Sequence, residues 1–109
     1  MEKVAAYLNE KYGEGTFALD MRDQYYNMGD ILKDHMDIVE RARQAFITCG
    51  VQPVTIPVRG GTDGSQLTYM GLPCPNISSC AMNVHGRFEF VPVGQMDKMV
   101  QVIRTILLP

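Results

Sequence analysis

The sequence predicts an α/β fold, with an α+β arrangement at its N-terminal end. Apolar residues recur every three to four positions near the start, in the middle and near the end of the chain, which is typical of amphipathic helices. In two segments between these helices apolar and polar residues alternate, as in strands with one solvated face. Helices that alternate with strands are the mark of the α/β class.

Composition and charge exclude several classes of protein. The 109 residues suit one small domain or a piece of a larger one, and 46% are hydrophobic, as in an ordinary globular chain. The net charge of −2 and the scattered basic residues give no support to nucleic-acid binding. No apolar run is long enough to cross a bilayer and the N-terminus does not resemble a signal peptide, so we expect a cytoplasmic protein that binds no membrane.

Three cysteines, Cys49, Cys74 and Cys80, include no Cys-x-x-Cys pair. Their odd number and spacing argue against a disulfide framework and a structural zinc knuckle, so we expect reduced thiols. Cys49 is interpreted as a small buried apolar residue at the end of a helix.

The first helix is predicted from Met1 to Tyr12, and Gly13 is expected to end it. Its inward face consists of Val4, Leu8 and Tyr12. From Thr16 the period changes to two, which predicts a half-buried antiparallel strand. The apolar side of this strand consists of Phe17, Leu19 and Met21.

Residues 23–29 fit neither pattern, so a domain boundary is expected there, with residues 1–29 in one domain and 30–109 in the other. Asp30 or Asp34 is expected to cap the next helix, and Gly50 to end it. The inward stripe of that helix is Ile38, Ala42, Ala45, Phe46 and Cys49. His35, near its start, is interpreted as a solvated surface histidine.

Residues 51–58 alternate again, through Val54, Ile56 and Val58. Pro53 and Pro57 each remove a hydrogen-bond donor, so this segment is expected to be an edge strand or a short one. A brief helix at 65–70 and a short buried strand near Ile77 follow. The last helix is predicted at 95–107, with Met96, Met99, Val100, Ile103 and Leu107 on its packed face.

The segment 58–65 contains three glycines within five positions, which allows backbone N–H groups to approach a ligand closely. It lacks the ending of a P-loop and the spacing of a dinucleotide-binding motif. Two interpretations stay open: a tight turn into a helix capped by Thr62 or Asp63, and a binding loop. Arg59 favours the second, because a guanidinium beside free backbone donors suits a carboxylate, with a solvated arginine as the alternative.

His85 lies in a second turn, at 83–90. A single loop histidine is more often a structural or surface residue than a metal ligand, and zinc needs three or four protein donors that this segment does not supply. If His85 binds a metal, its partner ligands lie elsewhere. Glu89 either orients the imidazole or forms a surface ion pair with Arg87.

Three separated segments, in this order, resemble the C-terminal part of the peptidase T family of tripeptide aminopeptidases. They are residues 57–67, 70–76 and 85–91, and the resemblance extends through 23–28 and 96–103. This family has a catalytic α/β domain with two zinc ions and an inserted α/β lid domain. By this likeness, residues 1–29 resemble the end of the lid, a dimerisation-type domain, and residues 30–109 the closing segment of the catalytic domain.

The resemblance implies roles for individual residues. His85 would be the final zinc ligand, supported by Asn83 and Glu89, which would not touch the metal. The substrate cleft would be lined by Arg59, Gly60, Gly61, Thr62 and Asp63. No catalytic residue is expected in this chain, because the other zinc ligands and the general-base glutamate belong to the N-terminal part of the family's catalytic domain.

The resemblance also implies partners. In the complete enzyme two zinc ions activate a water molecule, and the N-terminal residue of a tripeptide is released. This chain has one ligand, so it is expected to be inactive without the N-terminal portion of the catalytic domain. It is also expected to cover its apolar faces by self-association as a homo-oligomer or by a rearranged packing. The alternative is a non-catalytic α/β interaction module derived from such an enzyme.

Overall fold

The computed structural model describes residues 1–108. Within that range it contains five α-helices: α1 Glu2–Tyr12, α2 Gly29–Leu32, α3 Met36–Thr48, α4 Asp63–Tyr69 and α5 Val93–Leu107. Long irregular segments join them. The only β pairing between residues 1 and 108 is an isolated antiparallel bridge that joins Met82 to Phe90.

The predicted α/β fold is therefore wrong, because the described chain is helical and forms no sheet. Residues 16–22 and 51–58, which were expected to be strands, and the segment around Ile77 form no β pairing with any other part of residues 1–108. Alternation of apolar and polar residues favours a strand, but a strand also needs a neighbouring backbone to complete its hydrogen bonds. No segment of residues 1–108 supplies that neighbour.

The helix ends follow the glycine positions in the sequence. Gly13 ends α1 with φ 110°, and its N–H donates to the Asn9 carbonyl oxygen. At the end of α3, Gly50 has φ 73° and donates to Ile47, while Val51 donates to Phe46. This pair of bonds is the Schellman arrangement, which needs a left-handed residue and so favours glycine.

The predicted cap of the central helix is wrong. Asp30 lies inside the short helix α2, and His35 rather than Asp34 precedes α3, without a side-chain capping bond. Because the chain turns between α2 and α3, neither aspartate lies at the N-cap position of α3. His35 is exposed, as the sequence predicted.

The apolar core lies where α3 packs against α5. Ala45 of α3 and Met99 and Val102 of α5 are buried there. Four partly buried residues surround them: Phe46, Cys49, Cys80 and Ile106. The Lys98 ammonium group donates to the Cys49 carbonyl oxygen at 3.2 Å, which places a positive charge at the negative end of the α3 dipole. The predicted packing role of Cys49 is confirmed, and all three cysteines are free.

The predicted packed face of α5 is wrong in most of its members. Met99 is buried, but Met96, Val100, Ile103 and Leu107 are exposed. Helix α5 carries apolar residues on more than one side, and it is turned so that Met99 and Val102 face α3. Periodicity identifies an apolar stripe but not which neighbour the helix will meet.

Helix α1 has no buried residue and is joined mainly to the segment that follows it. The Asn9 side-chain amide donates to the Phe17 carbonyl oxygen at 2.9 Å and accepts from the Phe17 N–H at 2.8 Å. The Tyr12 and Phe17 rings lie 6.0 Å apart. This local cluster closes the turn after α1 without an apolar core.

The chain is extended and exposes much apolar surface. Its accessible surface is 9027 Å², whereas a compact monomer of this mass exposes about 6,100 Å². The radius of gyration is 20.0 Å, against about 13 Å for a compact domain of this length. None of the described helices is both long and apolar enough to cross a membrane. The uncovered apolar residues include Phe17, Leu19, Met21, Val54, Ile56, Val58, Met96, Val100, Ile103 and Leu107.

We expect Val102→Ala to lower the free energy of unfolding by about 2 kcal/mol, because it removes buried methyl groups and leaves a cavity between α3 and α5. The matched control is Val100→Ala, since Val102 is 0% exposed and Val100 is 56% exposed on the same helix. Urea unfolding followed by circular dichroism checks both. Equal losses in the two variants would contradict the observed orientation of α5.

Candidate functional site

The candidate substrate loop, residues 59–63, leads directly into α4. Thr62 is the N-cap residue: its hydroxyl oxygen accepts from the Ser65 N–H at 3.2 Å and from the Asn76 side-chain amide at 3.1 Å. The prediction of a helix capped at this position is confirmed, with Thr62 rather than Asp63 as the cap. Gly60, with φ 90°, makes the bend before it in a conformation that favours glycine.

One side of α4 is packed closely against residues 74–76. A Cβ atom on Gly64 would lie 2.6 Å from the Cys74 carbonyl oxygen, so only glycine allows this approach. The buried Thr68 hydroxyl donates to the Gly64 carbonyl oxygen at 2.7 Å and accepts from the Cys74 N–H at 3.0 Å. These contacts fix the short helix on which the loop depends.

The other side of α4 binds residues 23–28, which we call the connector. Three side chains of α4 donate to its carbonyl oxygens: Ser65 to Tyr26 at 2.6 Å, Gln66 to Gln24 at 3.2 Å and Tyr69 to Asn27 at 3.1 Å. The Tyr26 and Tyr69 rings lie 5.3 Å apart. The connector is therefore held to α4 mainly through its backbone.

A cavity of about 140 Å³ lies between the connector and α4. It is lined mainly by polar and aromatic side chains of these two elements, among them Gln24, Tyr26 and Tyr69. Sites for small-molecule ligands are usually about 300 Å³ or larger, so this cavity is too small to enclose a tripeptide.

The charged members of the loop are free to meet a ligand. Arg59 and Asp63 are both exposed, and neither takes part in an ion pair or a side-chain hydrogen bond with another residue of the described chain. A guanidinium group in this state can bind a carboxylate, and a carboxylate can bind an amino group.

The predicted metal ligand, His85, lies exposed at the tip of a turn closed by the Met82–Phe90 bridge. Met82 N–H donates to Phe90 at 2.9 Å and Phe90 N–H donates to Met82 at 3.2 Å. Within the turn, Asn83 has φ 53° and His85 has φ 65°. This region of backbone space is uncommon for residues other than glycine, although asparagine and histidine enter it more readily than most.

Of the two predicted supports of His85, Glu89 bonds to the His85 backbone and Asn83 bonds to Phe88 across the turn. The Glu89 carboxylate accepts from the His85 backbone N–H at 2.8 Å. The Asn83 side-chain amide donates to the Phe88 carbonyl oxygen at 3.3 Å. The ion pair of Glu89 with Arg87, which the sequence left open, does not form within the described chain, and Arg87 lies over the Phe88 ring instead.

Residues 1–108 do not make a complete metal site. They contain no group of three or more His, Cys, Asp or Glu side chains arranged to hold a metal ion. Zinc in proteins takes at least three protein ligands, so His85 can be one ligand but cannot hold the ion without others. The donors present here thus fit only a part of a zinc site.

The structure keeps the two predicted sites separate. The 59–63 loop is held by the connector and by residues 74–76, whereas the side-chain hydrogen bonds of the His85 turn lie within that turn. Within residues 1–108, no hydrogen bond joins the loop to the turn. The docking of the connector on α4 was missed from the sequence. The sequence feature that could have indicated this docking is a polar and aromatic run, Gln24 to Asn27, that fits neither a helix nor a strand.

Comparison with known proteins gives a consistent set of relatives. The chain is 47% identical over 107 residues to peptidase T of Caldanaerobacter subterraneus subsp. tengcongensis and 52% identical over 107 residues to peptidase T of Halothermothrix orenii. In both cases 98% of this chain and 26% of the relative are covered. Peptidase T of Latilactobacillus sakei is 52% identical over 101 residues, covering 93% of this chain and 24% of the relative. No family model matches the sequence.

The chain is therefore similar in sequence to a part of known peptidases. More narrowly, it matches a fragment of peptidase T, which confirms the resemblance found in the sequence. The chain spans about a quarter of the length of the relatives it matches.

We expect Thr62→Ala to destabilise α4 by about 1 kcal/mol, because the Ser65 N–H and the Asn76 amide lose the hydroxyl that accepts from them. Hydrogen exchange at the Ser65 amide, followed by NMR, measures the effect. Thr62→Ser keeps the hydroxyl and is the control. If Thr62→Ala and Thr62→Ser exchange at the same rate, the capping role of the hydroxyl is refuted.

Proposed function

We propose that this chain supplies the substrate loop and one zinc ligand of a peptidase T-like aminopeptidase that removes the N-terminal residue of tripeptides. The observation that carries this proposal is the 46–52% identity to several peptidases T over nearly the whole chain. The exposed, unpaired Arg59 and Asp63 on a fixed glycine turn support it, because a peptide has a charged group at each end.

In this proposal the 59–63 loop binds the substrate. Arg59 would pair with a substrate carboxylate, Asp63 with an amino group, and the N–H groups of Gly60 and Gly61 with a peptide carbonyl oxygen. Thr62 would act through its capping bonds, which hold the loop on α4.

His85 would bind zinc together with ligands from the remaining three quarters of a peptidase T chain. Glu89 would fix the backbone direction at His85 through the bond to its N–H, and Asn83 would hold the turn. A complete site would contain two zinc ions, whose chemistry when bound is to activate water and polarise a carbonyl group.

The remaining three quarters of the relatives' length would also cover the apolar surface that this chain exposes. We propose that residues 1–29 and 30–109 belong to two domains of the complete enzyme, with the connector between them, and that this chain alone is inactive. Alone, it would cover part of the same surface by self-association. The cytoplasmic location stays a prediction from the sequence.

The first test mixes this chain with the remaining three quarters of peptidase T from Halothermothrix orenii. We expect zinc binding and tripeptide hydrolysis in the mixture, and neither in the chain alone, because a zinc site needs more ligands than His85. His85→Ala should reduce hydrolysis by about a hundredfold or more, since loss of a group that merely supports a metal ligand already costs about 10- to 100-fold. His35→Ala, which changes the exposed histidine before α3, should leave hydrolysis unchanged.

Two results would contradict the proposal. Hydrolysis by the isolated chain that His85→Ala abolishes would refute its inactivity. A mixture that forms a complex without zinc or activity, and is indifferent to His85→Ala, would favour the alternative of a non-catalytic interaction module.

A second measurement concerns the exposed apolar surface. We expect light scattering of the isolated chain to show a mass that rises with concentration, because the accessible surface of 9027 Å² includes many uncovered apolar side chains. Replacing exposed Ile103 by Glu should lower the mass, while replacing exposed Gln101 by Glu should not. A monodisperse monomer at millimolar concentration would contradict the prediction.

A further inference from the structure

The ring of Tyr25 lies directly against Gly61 in the candidate substrate loop. It occupies the space that a Cβ atom on Gly61 would fill, with the ring carbons as the nearest atoms. A glycine in such a loop can serve the approach of a ligand or the approach of another part of the protein. At Gly61 the approaching group is the aromatic ring of the connector.

The backbone on both sides of Tyr25 is anchored. The carbonyl oxygens of Gln24 and Tyr26 accept from Gln66 and Ser65 of α4, and Ser65 is buried. Neither bond involves the side chain of a connector residue. Because these two bonds do not involve the side chain at position 25, the connector should stay on α4 when Tyr25 is replaced. The Tyr25 ring is therefore available to contact the loop.

The other end of the loop is anchored independently. Thr62 is held by its bonds to Ser65 and Asn76, whereas Gly60 and Gly61 form the pair of residues with the greatest backbone freedom in the segment. Contact with the Tyr25 ring restricts Gly61, whereas no atom of the described chain beyond its two neighbours lies within 4 Å of the position that a Cβ atom on Gly60 would take. The direction of the Gly61 N–H group follows from that restriction.

We propose that Tyr25 is a positioning residue for substrate binding: its ring, carried by a connector that α4 holds through backbone carbonyl oxygens, fixes Gly61 in the orientation that meets the substrate. The positioning role rests on the proposed function, because that function makes the loop a substrate-binding loop. The contact of Tyr25 with Gly61 does not depend on it. The role belongs to the ring, since the Tyr25 hydroxyl makes no hydrogen bond within residues 1–108.

The packing is tested by NMR on the isolated 109-residue chain. The Gly61 Hα resonances should be shifted by the Tyr25 ring current, and the shift should vanish in Tyr25→Ala and persist in Tyr25→Phe. The backbone order parameter of Gly61 should fall from about 0.8 to below about 0.6 in Tyr25→Ala. Tyr7→Ala, on exposed α1, is the control and should change neither.

A second variant separates positioning from loss of structure. Gly61→Ala should displace the ring and reproduce the effects of Tyr25→Ala, and the double variant should be no worse than either single one, because both remove one contact. Amide exchange at Thr68 and Tyr69 should stay at the parent rate throughout, since the bonds that hold α4 remain.

The functional consequence is read in the mixture with the remainder of peptidase T. Tyr25→Ala should raise KM for a tripeptide severalfold with little change in kcat, and Tyr25→Phe should restore it. An unshifted Gly61 resonance and an unchanged order parameter would overturn the positioning role and leave the proposed function intact. A mobile Gly61 with an unchanged KM would contradict the substrate role of the loop, and with it the proposed function.

Discussion

The close packing of helix α4 against two other parts of the chain is the constraint on which the candidate site depends. A helix of seven residues is not stable alone in water. Here Gly64 admits the backbone of residues 74–76 on one side, and α4 side chains bind the carbonyl oxygens of the connector on the other. The buried hydroxyls of Ser65 and Thr68 are satisfied within this arrangement. The 59–63 loop is ordered because it leads into the helix that these contacts hold.

The rest of the chain is a set of partly uncovered elements. Polar groups of the α4 region are satisfied locally, whereas the apolar side chains of residues 16–22, 51–58 and one face of α5 are open to solvent. A relative covers this sequence with only a quarter of its length. The proposed function accounts for both the exposed faces and the single candidate ligand, His85.

Local features of the fold could be predicted from the sequence, and features that need a partner could not. Helices α1, α3, α4 and α5 and the ends at Gly13 and Gly50 depend on neighbouring residues, so periodicity and capping rules found them, and the same rules reduced the cap of α4 to Thr62 or Asp63. The short helix α2 and the start of α3 were not predicted. The prediction of strands was wrong because alternation of apolar and polar residues specifies the two faces of a strand but supplies no neighbouring backbone for it to pair with. The contact of Tyr25 with Gly61 joins distant positions without a local signature. The family was recognisable because three separated segments matched in order.

Calorimetric titration of this chain with the remaining three quarters of a peptidase T, at several temperatures, tests most directly whether the exposed apolar faces are covered in the complete enzyme. If the rest of the enzyme covers these faces, association must bury them and give a large negative heat-capacity change. We expect a one-to-one complex with that signature. Absence of binding, or binding with a heat-capacity change near zero, would contradict it.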